Sequence, residues 1–237
     1  MRRPECSDGI PAEHHRKGSH SRHNFRNRRY HFSTYGNLDL KLKIVGIDPA
    51  LSNIGIAVAE YDVVEKTLTM TDISLCETSP DRSKKVRVNS DDLRRASDGA
   101  AFIQNALAEA DVVVAEIPTG SQSARGAASY GISIGLLASI GSVEGGFDGS
   151  IIQVMPTEVK KAVTGSKHAT KGEMIEWATE AYPDLPWLMT NRKNAPSPYL
   201  NKNEHMADAV AVIQTGIETD EFKMLTKAFE KIAASQS

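Results

Sequence analysis

The sequence predicts an α/β domain on a mixed five-stranded sheet, three antiparallel strands and then parallel ones, with helices on both faces. Three observations carry this. The first three strand-like segments are joined by connections too short for a crossover, which favours an antiparallel meander. Val112-Val113-Val114-Ala115 is a continuous apolar run, as expected of a central strand buried on both faces. Segments with apolar residues at helical spacing separate and follow the later strands, so these strands pair in parallel.

Each element has its own signal. Residues 41–48 form a strand that ends in Asp48-Pro49, where the chain must turn because Pro49 lacks a backbone donor. Residues 53–61 alternate around Gly55, and residues 67–76 make a third strand. Residues 90–110 have helical spacing and open on Asp91 and Asp92. The apolar strand over 111–117 follows, then a Gly- and Ala-rich helix over 126–144. Residues 150–155 form the fifth strand, and Pro156 opens a short helix over 157–163. Residues 171–182, 203–218 and 221–234 read as helices. Between the first two of these, residues 183–202 hold four prolines and three asparagines and read as a loop.

Charge divides the chain differently. Residues 1–43 hold ten Lys/Arg and four Asp/Glu, a net +6, whereas the remainder holds 18 and 26, a net −8. Residues 1–40 form a basic extension with five of the seven histidines, His14, His15, His20, His23 and His31, and little apolar periodicity. Composition favours a solvated, disordered tail, although Arg26, Arg28 and Arg29 among Phe25, Tyr30 and Phe32 also suit single-stranded nucleic acid. The domain proper is expected over 41–237. Cys6 and Cys76 have no CxxC spacing, so neither a disulfide framework nor a zinc site is implied and a cytoplasmic location is expected. No stretch approaches the ~20 apolar residues of a membrane span.

The chemistry is carried by carboxylates. Asp48 ends an apolar strand, Glu116 ends another, and His205 and Asp208 lie one helical turn apart. A Glu ending a buried strand needs a partner. The bland readings are a turn-capping Asp, an ion-paired Glu and a surface His–Asp pair. Together the four point to Mg²⁺, which prefers oxygen ligands and retains water. Two such ions can clamp an in-line displacement at phosphorus, with His205 as ligand or as base for the attacking water. Glu204 points about 100° away around the helix and reads as a solvated neighbour or as a group supporting the ligands from behind. Ser121, Gln122 and Arg125 lie where phosphate contacts are expected just before a helix. Lys160, Lys161, Lys167 and Lys171, with His168, make a basic patch on an acidic body. It suits DNA backbone contacts, or equally a solvated helix face.

In the same order as these residues, Gly46-Ile47-Asp48-Pro49-Ala50, Val114-Ala115-Glu116, Val159-Lys160-Lys161-Ala162-Val163-Thr164-Gly165 and His205-Met206-Ala207-Asp208-Ala209 resemble the motifs of RuvC-like Holliday junction resolvases, above all phage-type members. The resemblance spans roughly residues 43–215. It implies a ribonuclease-H-like fold, a homodimer, two Mg²⁺ ions per active site (Mn²⁺ as a substitute) and paired nicks in a four-way DNA junction that leave 5′-phosphates. It places Asp48, Glu116, His205 and Asp208 on the four catalytic positions, and a bacterial host cell is the setting it suggests. Two features depart from the pattern. No aromatic follows Glu116 until Tyr130, where the best-known members carry a junction wedge, and the basic extension and the 183–202 loop exceed the compact family length.

Two alternatives remain. A nuclease of this fold acting on other branched phage DNA shares the chemistry and differs in substrate. An ATP-binding domain of the actin/sugar-kinase type also opens on a Gly-x-Asp strand turn. The chain is short for two such lobes, and the His205–Asp208 helix has no role there.

Overall fold

The computed structural model describes residues 40–83, 85–142, 147, 149 and 151–236. The basic extension before Leu40 lies outside the described residues.

Five strands form one sheet: β1 (Lys41–Pro49), β2 (Asn53–Asp62), β3 (Thr67–Glu77), β4 (Val112–Glu116) and β5 (Ile151–Val154), in the order β3-β2-β1-β4-β5. β1 pairs antiparallel with β2, and β2 with β3. β4 lies parallel to β1 and β5 parallel to β4, with Ile47 opposite Ala115 and Glu116 opposite Val154. The expected meander followed by parallel strands is the observed topology.

Among the described residues six α-helices accompany the sheet: α1 (Val88–Leu107), α2 (Ala124–Ser139), α3 (Pro156–Thr164), α4 (Lys171–Ala181), α5 (Asn203–Gly216) and α6 (Asp220–Gln236). No described helix is long and apolar enough to cross a membrane. The sheet separates two apolar cores. Leu42, Ile44, Val112 and Val114 meet α5, α3 and α4 on one face, and Val45, Ile47, Val113 and Ala115 meet α1 and α2 on the other. Each such fully buried side chain contributes about 1.5–3 kcal/mol. Alternation along β1 and β4 therefore fixes which face each side chain presents, since a one-residue slip would exchange the faces.

Boundaries differ from the sequence reading where local chemistry intervenes. α1 starts at Val88, so Asp91 and Asp92 lie inside the first turns, buried rather than capping. α2 stops at Ser139 and tightens into a 3₁₀ turn over Ile140–Ser142; residues 143 and 144 of the expected helix lie outside the described residues. α3 begins on Pro156 and ends on Gly165 at φ 77°, the left-handed position that glycine takes without strain. Thr170 and Glu173 form a reciprocal capping box that sets the start of α4 at Lys171.

α5 lies directly on the sheet. Its sequence Ala207, Ala209, Val210, Ala211, Val212 is buried throughout, and two strand glycines allow the close approach. A Cβ on Gly46 would strike the Ala209 carbonyl oxygen, and one on Gly55 would strike the His205 carbonyl oxygen.

Candidate active site

β1 and β4 run parallel as neighbours, so Asp48 and Glu116 emerge at the same sheet edge. α5 crosses that edge with its first turn, bringing His205 and Asp208 over the strand ends. Asp48 is buried, and its Oδ2 meets His205 Nδ1 at 2.7 Å. Asp208 has its Oδ1 shut off from solvent, with no hydrogen-bond partner among the described residues. A buried polar atom left in this way costs about 1–3 kcal/mol unless something else binds it.

The groups sense one another electrostatically. Burial, then the charge of Asp48, pushes the Glu116 carboxyl up to about 8, with Glu204 adding to the rise and Lys160 opposing it. Burial, then Asp48, Glu116 and Glu204, holds the Asp208 carboxyl well above the ordinary range. For His205 burial opposes the charged form, but the hydrogen bond and charge of Asp48, with Glu204 and Asp208, prevail and raise its pKa. Like charges pressed together at low dielectric disfavour ionisation unless a cation joins them.

These residues suit a divalent cation on the chemistry of their donors: three carboxyl groups whose charges oppose one another, an imidazole and one orphaned carboxylate oxygen. As the side chains stand, no three described His, Cys, Asp or Glu groups are close enough to grip one ion. The Asp48–His205 hydrogen bond contributes, since it occupies one carboxylate oxygen and one ring nitrogen.

The lysines fall into two groups. Lys160 acts on Glu116. Lys171 pairs with Glu204 at 2.7 Å and feels Asp208 and Asp48 as well, so these two lysines flank the carboxylates. Lys161 and Lys167 are exposed on α3 and the turn after it, where His168 is exposed as well. Ser121 and Gln122 are exposed in the segment after β4, with Ser121 Oγ tied locally to Ser123. Arg125 is engaged rather than free: its guanidinium makes a two-point pair with Asp92, 2.6 Å on the Nη2 arm.

Glu204, left open by the sequence between a solvated neighbour and a group supporting the ligands, is half-buried and electrically part of the site. Sequence reasoning missed one network. Asp92 also faces Arg95, a buried residue that donates to Thr78 Oγ1 at 3.1 Å and to Ser52 Oγ at 2.7 Å. This network ties the turn after Asp48 to α1 and, through Arg125, to α2. Its signal in the sequence was Asp92-x-x-Arg95, an i, i+3 pair at a helix start.

A sheet ordered β3-β2-β1-β4-β5, with three antiparallel strands followed by parallel ones and helices on both faces, is a mixed α/β fold of the ribonuclease-H-like kind. No protein-family model matches the chain, and no curated protein matches its sequence. Among solved structures, Thermus thermophilus RuvC in complex with a Holliday junction substrate is similar with a TM-score of 0.50 and 21% identity, covering 73% of this chain and 92% of that one. Thermus thermophilus RuvC in a second structure gives 0.48 at 21% identity over the same shares. Fowlpox virus resolvase with Holliday junction DNA gives 0.45 at 16% identity, covering 75% of this chain and all of the other. At 21% identity the likeness to the first of these shows the fold alone.

Proposed function

We propose that this chain is a divalent-metal-dependent nuclease that cuts branched DNA, with the four-way junction as its principal substrate class. The observation that carries the reading is the convergence of Asp48, Glu116 and Asp208 at one sheet edge, buried enough to raise the pKa values of Glu116 and Asp208 and to orphan Asp208 Oδ1. Such an arrangement is unfavourable without a cation and favourable with one. Asp48, Glu116, Asp208 and His205 would hold two Mg²⁺ or Mn²⁺ ions. Bound there, divalent ions would offset the carboxylate charge and supply Lewis acidity for phosphodiester hydrolysis. His205 keeps Nε2 free of hydrogen bonds to described residues, so it is placed to orient a water or take its proton. Lys160 and Lys171, with Lys161 and Lys167 further out and the exposed Ser121 and Gln122, provide the phosphate contacts. Arg125 joins them on exchanging Asp92 for a phosphate.

A homodimer is part of this proposal. α2 exposes Ala127, Tyr130, Gly131, Ile134, Gly135 and Ala138, a stripe at helical spacing, and Cβ atoms added at Gly131 and Gly135 would meet open space. A second α2 related by a twofold axis would cover this face and place two sites on a symmetric junction.

The test is cleavage of labelled four-way junction, duplex and flap DNA with Mg²⁺ and with EDTA. Paired nicks in the junction that require Mg²⁺ are expected. ATP-stimulated turnover without DNA cleavage would overturn the reading in favour of an ATP-binding domain. A strictly monomeric species by light scattering that still cuts in pairs would remove the dimer.

A further inference from the structure

The segment between α4 and α5 is an ordered hairpin. Met189 and Tyr199 form an antiparallel bridge. Thr190 N donates to Pro198 O at 2.8 Å, and Leu200 N to Leu188 O at 2.9 Å. Asn203, fully buried, clamps the base: its Oδ1 accepts from Leu188 N and its Nδ2 donates to Leu188 O, both at 2.9 Å. Trp187 is buried just before the base and donates to Tyr182 O at 2.8 Å. Asn203 is the first residue of α5 and stands two residues before His205. The hairpin is therefore fixed to the helix that carries the site.

Its charge is one-sided. From residue 185 to residue 203 the chain has three Lys/Arg and no Asp or Glu, in a body whose charge is otherwise net negative. Lys202 is neutralised at the base by Glu77 at 2.7 Å. Arg192 and Lys193 are exposed at the tip and have no ion pair among the described residues. Four residues of extended chain separate Leu188 from Arg192, so the tip lies within about 13 Å of the base.

We propose that the 188–200 hairpin is a DNA-contacting arm, with Arg192 and Lys193 bonded to backbone phosphates of the DNA that passes beside the N-terminal end of α5. This rests on the nuclease reading. The arm adds affinity and selects DNA with a strand passing beside the α5 end of the site. The base being clamped by Asn203, little ordering cost accompanies the contact.

The experiment compares wild type with R192Q/K193Q and R192E/K193E, both at the exposed tip, after their melting temperatures are shown to match. Affinity for a four-way junction is measured in EDTA across a salt series, and cleavage kinetics in Mg²⁺. The neutral pair is expected to weaken Kd about five- to tenfold and flatten the log–log salt slope by about 1–2. The reversed pair weakens it further, and the loss falls on KM more than on kcat. Wild-type Kd and slope in both variants would overturn the arm while leaving the nuclease reading intact. A wild type that neither binds nor cuts branched DNA would overturn both.

Discussion

Glu116→Gln should stabilise the metal-free protein, although it removes a side chain from the centre of the site. Burial and Asp48 move the Glu116 carboxyl from 4.5 to about 8. The folded protein therefore holds a proton at pH 7 that the unfolded chain has released. For an acid raised in this way, stability is fully present below 4.5 and is lost as pH rises toward 8. At about 1.4 kcal/mol per pH unit, the loss by pH 7 is about 3 kcal/mol, an upper bound. Glutamine mimics the protonated acid and has no charge to lose. A gain of about 5–10 °C in melting temperature at pH 7.5 in EDTA follows for a chain of this size. At pH 4.5 the gain disappears. Adding Mg²⁺ should reverse the order, because wild type gains from binding and the variant gains much less. The assay is thermal unfolding by circular dichroism at both pH values, with EDTA and with Mg²⁺. A variant no more stable than wild type at pH 7.5, or equally stabilised at pH 4.5, would refute the account of Glu116 as an acid whose ionisation burial and Asp48 oppose.

Other outcomes follow from the same geometry. Asp48→Asn and Asp208→Asn should each abolish nicking while junction binding persists in gel-shift assays. His205→Ala should lose far more activity than His205→Asp, which retains an oxygen ligand. Since Asp48 raises the His205 pKa above 6.5, wild-type cleavage should decline on the acid side as the ring protonates, and the pH–rate profile of His205→Asp should lack that limb or show it at lower pH. Gly55→Ala should destabilise the fold by about 2 kcal/mol or more, because the new methyl collides with the His205 carbonyl; denaturant titration reads the loss. Glu204→Gln should tighten metal-free DNA binding by releasing Lys171, and a double-mutant cycle with Lys171→Ala should show coupling between the two.

Most of the architecture was legible in the sequence because it is written in local pattern. The apolar run 112–115, the alternation around Gly55 and the Pro156 start needed no tertiary information. The four site residues stood out as acids and a histidine attached to apolar segments. What was missed or left open depends on neighbours distant in sequence. Arg125 sits beside a Gly-Ser segment and looks free, yet Asp92, 33 residues earlier, occupies it. Glu204 points off the His205–Asp208 face on a helical wheel, and only Lys171 and the strand carboxylates beneath show that it belongs to the site. The 183–202 segment, rich in proline, read as irregular because its order derives from one buried asparagine clamping a backbone amide and carbonyl.

The two glycines under α5 also bear on how this protein can be altered. At Gly55 helix and strand meet through main chain alone, whereas at Gly46 the Ala209 carbonyl and the Ile213 side chain both press on the strand. The height of His205 above Asp48 is consequently set at Gly55 by backbone contact and is insulated there from exchanges among Leu, Ile and Val elsewhere in either core, Ile213 excepted. Randomised core libraries that spare Gly46 and Gly55 should yield many folded members with the site still aligned. Replacement of either glycine should be scarce among the survivors, whatever compensating residues accompany it.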